Sequence, residues 1–354
     1  MSENFLQKAE TSVSRNEPIF DPKADSPLSD EDLGKKKERY ELFDAEAELA
    51  RIARELLGTT LKNFEPLGTG ANAFDHLVFR LDTADGRAIV CRINTDALVA
   101  KHFPVETALY RAWRAAGIPS PDVYAVVMRD KPDGLDYMLL EHVGTTDLEK
   151  HLVYHPEERE GYARKTGEFL AGFHTVSVPG FGMLALDNGS LRGEQETWRD
   201  ALLIRFEENL AYLLERELLS ASQAEAARRA MAANAVLLDD KPGVTLHGDY
   251  HNANIIIDEA RGKPVAAVDL SQARAGDPVF DMAFYGTYVP PEIFAVFCDG
   301  YFSRVGEPND FERKLALYQL RIYLGKAKLR KRFGYEERIP AAIEGMERCL
   351  RQLL

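Results

Sequence analysis

Hydrophobic periodicity changes once along this chain, near residue 143, and the change limits what the chain can fold into. Upstream, "FEPLGTGANAFDHLVFRLDTADGRAIVCRIN" reads as strand, glycine turn, strand, "DTADGR" hairpin and strand, because β-branched and aromatic residues alternate between turn signals. "PVETALYRAWRAAG" carries helical apolar spacing with Gly117 as its stop, and "IPSPDVYAVVMRDKPDGLDYMLLEHVG" returns to two strands around a "KPDG" turn. From Asp147 onward the apolar residues recur at helical spacing, in "GYARKTGEFLAGFHTV", "TWRDALLIRFEENLAYLLEREL", "SQAEAARRAMAANAVLLDD" and the end of the chain. Only "VTLHGDYHNANIIID" and "KPVAAVDLSQA" interrupt those helices with strand-like runs. The pattern predicts an α+β protein with a small β-rich N-terminal lobe over residues 41–143 and a larger, mainly helical C-terminal lobe over residues 144–354.

At 354 residues there is enough chain for each lobe to bury its own core. Order is expected to begin at "DAEAELARIARELLG", where Asp44 can cap a helix and Gly58 can end it. Residues 1–40 are polar, lack a sustained period and set acidic beside basic runs in "SPLSDEDLGKKKER", which reads as a flexible arm. A formal net charge of −13 argues against nucleic acid and anionic membrane surfaces as general partners. The cysteines Cys91, Cys298 and Cys349 are widely spaced, form neither a disulfide framework nor a metal-ligand pair, and read as small core residues. The N-terminus has no basic start or continuous apolar run, and no later run reaches the length of a membrane span, so the expectation is a cytoplasmic protein.

Chemistry is concentrated in Val244 to Asp258, "VTLHGDYHNANIIID", where two apolar runs enclose two His, an Asp and two Asn. From the residues alone three readings are open: a phosphoryl-transfer loop, a metal-hydrolase cluster, or a polar structural turn. Asp249 and Asn254 lie on a turn entered from "VTL" and left through "NIIID", and the later run "AAVDL" ends at Asp269. Phosphoryl transfer needs a carboxylate to orient or deprotonate a hydroxyl, and hard oxygen ligands for Mg²⁺ of the kind that Asn254 and Asp269 carry. His247, Asp249 and His251 can instead be read as an H-x-D-x-H metal cluster, since imidazole and carboxylate suit zinc, but the remaining histidines are scattered.

"HGDYHNAN" followed by "AVDLSQARAGDPVFDMA" resembles the catalytic loop and metal-binding segment of the aminoglycoside phosphotransferase and choline kinase-like family. That family's pattern is roughly H-G-D-x-x-x-x-N, an apolar run into D, then G-D-x-x-x-D. The resemblance holds across the lobe order, from about Leu57 to Tyr285. It implies a two-lobed protein-kinase-like fold and a small-molecule phosphotransferase using Mg²⁺ with ATP, or GTP in its place. By the same resemblance Asp249 is the catalytic base, Asn254 and Asp269 hold the metal, and Asp281 is a buried acid that braces the loop. His247 reads as a donor that fixes the loop, and His251 is divided between the reaction site and a structural role. Asp258 and Asp277 read as a turn residue and a helix-leading residue.

For the nucleotide, "LGTGANAF" offers Gly68 and Gly70 in a turn between strands, and the resemblance puts that turn over the phosphates with Asn72 at a usual polar position. The strand "AIVCRIN" is where such kinases place a phosphate-binding Lys paired to a helix Glu; here the candidates are Arg92 and Glu106. Arg92–Ile93–Asn94 has a loose likeness to the "R-hydrophobic-N" of antibiotic kinases that act on hygromycin. A lost Lys also marks inactive kinase-like proteins, so a nucleotide-binding interaction module is the alternative, and a metal-dependent hydrolase a further one. "YMLLEHVG" resembles the connector between lobes, with Leu140, Glu141 and His142 offering backbone groups to adenine.

The acceptor implied is a small hydroxylated molecule: an aminoglycoside-like antibiotic, a macrolide, an amino alcohol or a sugar. Acidic residues hold cationic acceptors in the family, and Glu194, Glu196, Glu207, Glu208 and Glu292 are the candidates for such a partner here. Trp198, Tyr285, Tyr288 and Phe294 are candidates for an apolar wall. The late basic run "LGKAKLRKRFG" reads as a solvated helix surface.

Overall fold

A computed structural model describes residues 43–67, 77–94, 102–128, 135–238, 243–332 and 334–354. The expected arm, the turn containing Gly68, Gly70 and Asn72, and the "KPDG" turn lie outside the described residues. The described residues fall into two compact units, one of residues 43–114 and 119–143, the other of residues 115–118 and 144–354. The fold is α+β, as the patterning predicts.

In the first unit, helix α1 (Ala45–Leu57) starts where the Asp44 carboxylate accepts the Ala47 N–H at 3.1 Å, and stops at Gly58, whose φ of 65° places it in the left-handed region. Strands β1 (Leu61–Pro66), β2 (Leu77–Thr83) and β3 (Ala88–Asn94) precede helix α2 (His102–Ala115), and β4 (Val123–Val127) and β5 (Asp136–Glu141) follow it. They make an antiparallel sheet of order β1-β2-β3-β5-β4. Side chains alternate between faces along each strand. One face therefore carries Leu77, Phe79 and Leu81 of β2, Ile89, Cys91 and Ile93 of β3, and Tyr137 and Leu139 of β5, which pack with Leu49 and Ile52 of α1. Each large apolar side chain so buried contributes roughly 1.5–3 kcal/mol. The opposite face of β3 and β5 presents Arg92 and Met138, which are register partners.

The second unit holds α3 (Leu148–Tyr154), α4 (Arg159–Phe173), α5 (Trp198–Leu203), α6 (Phe206–Glu215), α7 (Ala221–Ala233), α8 (Val279–Gly286), α9 (Pro291–Val305), α10 (Phe311–Arg332) and α11 (Ile339–Leu353). Its strands are β6 (Thr146–Asp147), β7 (Phe181–Asp187), β8 (Ser190–Gln195), β9 (Val244–Leu246), β10 (Ile255–Asp258), β11 (Lys263–Ala267) and β12 (Arg274–Gly276). Two small antiparallel sheets result, of order β11-β10-β6 and β8-β7-β12-β9. No helix among the described residues is long and apolar enough to cross a membrane. Cys91, Cys298 and Cys349 are free and buried, in keeping with core residues.

Three local expectations are corrected. The β7–β8 hairpin and β12 occupy stretches where the patterning predicts no strands; the hairpin turns through Asn188 and Gly189, with φ of 49° and 81°, an Asn-Gly pair of the primed-turn kind. The stretch "TWRDALLIRFEENLAYLLEREL" is not one helix but α5 and α6, broken at Arg205 with φ 59°. Buried Arg321 of α10 supplies the physical reason, donating to the carbonyls of Leu202 at 2.9 Å and Ile204 at 2.6 Å that the break exposes. The run "LGKAKLRKRFG" is not a solvated surface: Lys326 is fully buried and Lys328 only 9% exposed.

Candidate active site

The loop leaving β9 is shaped by backbone contacts before any reactive group enters the account. Gly248 has φ 79°, and a Cβ added there would lie 1.9 Å from the Gln272 carbonyl oxygen, so only glycine fits. The fully buried Asp281 of α8 accepts the His247 N–H at 2.7 Å and the Gly248 N–H at 2.8 Å. The His174 ring at the end of α4 stands 3.3 Å from the same carboxylate, with its other nitrogen 2.8 Å from the Tyr301 hydroxyl. Burial by itself would raise the Asp281 pKa, but the His174 contact, the nearby imidazoles and the Gly248 N–H hold it below the usual carboxylate value.

His247 ties this loop to the segment carrying Asp269. Its Nδ1 accepts the Asp249 N–H at 3.3 Å, so the proton lies on Nε2, which donates to the Val268 carbonyl at 3.0 Å. Burial lowers the His247 pKa, which favours that neutral form. The Val268 N–H donates in turn to the Asn254 carbonyl at 2.9 Å. Asp269, next in sequence, is half-buried with φ 63° and ψ 69°, a left-handed backbone uncommon for a residue with a side chain.

Asp249 and Asn254 are brought together: Asn254 Nδ2 donates to the Asp249 carbonyl at 3.0 Å and to its Oδ2 at 3.2 Å. Asp249 is 3% exposed, yet its Oδ1 has no hydrogen-bond partner among the described residues. An unsatisfied buried carboxylate oxygen costs stability, and such groups mark places where a ligand completes the structure. His251 lies beside the pair, its Nε2 3.6 Å from Asp249 Oδ2, with its ring stacked on Tyr288 at 4.7 Å.

The zinc reading is not favoured by this geometry, because both His247 nitrogens are engaged with backbone groups. The grouping of convergent His and carboxylate ligands among the described residues is elsewhere, at exposed His155, Glu157 and Glu158. The sequence reading passed over Arg274, a buried cation 5.2 Å from the Phe280 ring. Burial pushes its pKa down to about 10, while Asp281 and Asp249 act to keep it charged. An Arg set between two alanines in "SQARAGDP" is the sequence signal for it. Asp258 has a local duty, accepting the Arg261 N–H at 3.1 Å, whereas Asp277 accepts the Val279 N–H at 2.9 Å and also ties α8 to α10 by accepting from the Lys314 ammonium and the Tyr318 hydroxyl. Trp198 and Tyr285 are buried, and Trp198 donates to the Tyr318 hydroxyl at 3.0 Å. Glu194, Glu196, Glu207, Glu208 and Glu292 are all exposed, and Glu207 is paired with Arg228 at 2.8 Å.

In the first unit, Arg92 of β3 and Glu106 of α2 form a buried ion pair, with the guanidinium 5.3 Å from the Phe103 ring centroid. Arg92 thus occupies the strand position, and Glu106 the helix position, of the pair expected from sequence. Two N–H groups in the Leu140–His142 stretch are used inside this unit: Glu141 donates to Asp122 O at 2.8 Å and His142 to Ala88 O at 3.1 Å. The Glu141 side chain accepts the Asp122 N–H at 3.1 Å.

No curated protein matches the chain significantly. Among solved structures it is similar to a thermostable mutant of the aminoglycoside phosphotransferase APH(4)-Ia in ternary complex with AMP-PNP and hygromycin B, at 19% identity and a TM-score of 0.66, over 86% of this chain and 98% of that one. It is also similar to the macrolide 2'-phosphotransferase MphH from Brachybacterium faecium, at 18% identity and a TM-score of 0.55, over 85% of this chain and 97% of that one. At such identities these likenesses speak to the fold. The family described as "Phosphotransferase enzyme family" matches residues 68–318, most of the chain and the whole of the loop built around Asp249. The chain therefore belongs to the phosphotransferase enzyme family.

Proposed function

We propose that this protein is an ATP- and Mg²⁺-dependent O-phosphotransferase acting on a small hydroxylated molecule. The observation that carries the reading is the Asp249 carboxylate, buried, fixed through Asn254, and with Oδ1 left to receive a hydroxyl proton. Asp249 is read as the base that orients the acceptor hydroxyl. Asn254 is held by its amide nitrogen, which keeps its oxygen end for a hard cation, and Asp269 adds a carboxylate. That all-oxygen donor set fits Mg²⁺, which when bound neutralises charge on the transferring phosphoryl group. Arg92, oriented by Glu106, is read as the cation for triphosphate oxygens, and Gly68, Gly70 and Asn72 as the turn beside them. With the N–H groups of Glu141 and His142 already used, adenine recognition by Leu140, Glu141 and His142 would rest on carbonyl acceptors, which suit its amino group. Rate acceleration would come from alignment and charge neutralisation. AMP-PNP and hygromycin B in the complex of a similar fold support a nucleotide and a hydroxylated acceptor.

Calorimetric titration of ATP and GTP, with and without Mg²⁺, tests the reading. The intact protein is expected to bind ATP in a Mg²⁺-dependent manner, and Asp269→Ala to weaken that binding about 30-fold or more, the worth of one charge-assisted contact of ~2 kcal/mol. Folded protein that takes up neither nucleotide would leave an interaction module as the better account.

A further inference from the structure

His251 holds Asn254 by two of its atoms. It precedes the short 3₁₀ turn Asn252–Asn254, and its carbonyl accepts the Asn254 N–H at 2.9 Å. From an extended backbone, with φ −154° and ψ 169°, its side chain returns to the same residue and sets Nε2 3.3 Å from Asn254 Nδ2. An amide nitrogen only donates, so Nε2 presents its lone pair there and the ring proton sits on Nδ1. The residue is 2% exposed, and its ring is held by Tyr288, stacked at 4.7 Å with 24° between the planes. Tyr288 is anchored in turn from α10. The Lys326 ammonium lies 3.3 Å from the Tyr288 ring centroid while donating to Thr287 Oγ1 at 2.8 Å.

Three acceptors therefore surround the Asn254 nitrogen: the Asp249 carbonyl at 3.0 Å, Asp249 Oδ2 at 3.2 Å and His251 Nε2 at 3.3 Å. The amide has two hydrogens for them, so at least one hydrogen is shared. An amide turned over would set its oxygen against three electron-rich atoms, which fixes the end that faces away from them. Without Nε2, that choice is left to Asp249, the residue whose carboxylate is needed for the acceptor. Partners that orient a metal-binding side chain through its far end are worth about 10–100-fold in metal affinity.

Resting on the phosphotransferase reading above, we propose that His251 is a positioning residue of the site: through Nε2 it turns the Asn254 amide so that the amide oxygen is offered to the cation. It acts through Asn254 and not on the reacting atoms, and the stack on Tyr288 serves to aim its ring.

Two variants separate the acceptor atom from the stack. His251→Phe keeps a ring against Tyr288 and has no acceptor, whereas His251→Gln gives up the ring and brings an amide oxygen towards Asn254 Nδ2. ATP is titrated calorimetrically into each protein at a series of Mg²⁺ concentrations, with no phosphoryl acceptor present. The Mg²⁺ concentration giving half-maximal ATP affinity is expected to rise about tenfold or more in His251→Phe, and to come back to within about threefold of the parent in His251→Gln. A Phe variant with the parental Mg²⁺ requirement would overturn the proposal. So would a Gln variant impaired as badly as the Phe one, since ring packing would then be what matters. The second measurement reads the geometry in the intact protein. Ring ¹⁵N shifts of His251, assigned by the loss of its signals in His251→Gln, are expected to show Nδ1 protonated and Nε2 bare. A proton on Nε2 overturns the proposal whatever the titrations give. The expected tautomer in folded protein that binds no ATP supports the hold on Asn254 and removes the phosphotransferase reading alone.

Discussion

Asp249→Asn is expected to lower phosphoryl transfer by roughly 10²–10⁴-fold, the usual worth of a positioned base, while ATP affinity stays within about twofold. The substitution keeps the shape of the side chain and an oxygen within reach of Asn254 Nδ2, which now lies 3.2 Å from Oδ2. What it removes is the charge and the capacity of Oδ1 to take a proton. Because that oxygen is buried without a hydrogen-bond partner among the described residues, the variant should melt no lower than the parent, and an increase would fit a site that trades stability for function. ADP release with the best acceptor reads the first effect and thermal melting the second. Wild-type turnover in the variant would take Asp249 out of the chemistry altogether.

Asp281→Asn should have the largest effect on the fold. The carboxylate accepts two backbone N–H groups at 2.7 and 2.8 Å and faces His174 at 3.3 Å, and an amide offers its NH₂ where one of those donors needs an acceptor. Breaking a buried, hydrogen-bonded ionic cluster costs about 3–5 kcal/mol, which should appear as a melting temperature lower by roughly 10 °C. The pH dependence follows from the direction of the shift. Asp281 titrates below its unfolded value, so its stabilisation is complete above that value, near 3.9, and fades as the pH falls through the lower, folded one. The variant should therefore show a shallower loss of stability below about pH 4 than the parent. Equal acid limbs in the two proteins would mean that the Asp281 charge does not brace the loop.

Much of this arrangement was legible in the sequence because its causes are local. Asp44 and Gly58 bound α1 through contacts with residues a turn away. Alternation along "AIVCRIN" placed Arg92 on the face opposite Cys91 and Ile93, and the structure pairs it with Glu106. The spacing from His247 to Asn254 held together as one loop, and Asp281 turned out to brace it as the resemblance implied. The β7–β8 hairpin was missed although Asn188-Gly189 announced it, because helical spacing on both sides drew the reading. The burial of Lys326 and Lys328 had no local signal. It depends on Thr287, which accepts from Lys326 at 2.8 Å, and on Asn209, partners 39 and 119 residues away.

The break between α5 and α6 bears on the order in which the molecule assembles. Residues 197–217 carry helix-compatible spacing throughout, whereas the donors that interrupt them come from Arg321, 117 to 119 positions later. Local preference and native geometry disagree there, a small frustration that only a distant contact resolves. A peptide of residues 197–217 in helix-promoting solvent should be helical through Arg205 by NMR chemical shifts; a kink already present in the peptide would make the break a local property. If the helix is continuous, the backbone at Arg205 takes its final form only after α10 docks, late in folding, since closing so long a loop carries the greater entropic cost.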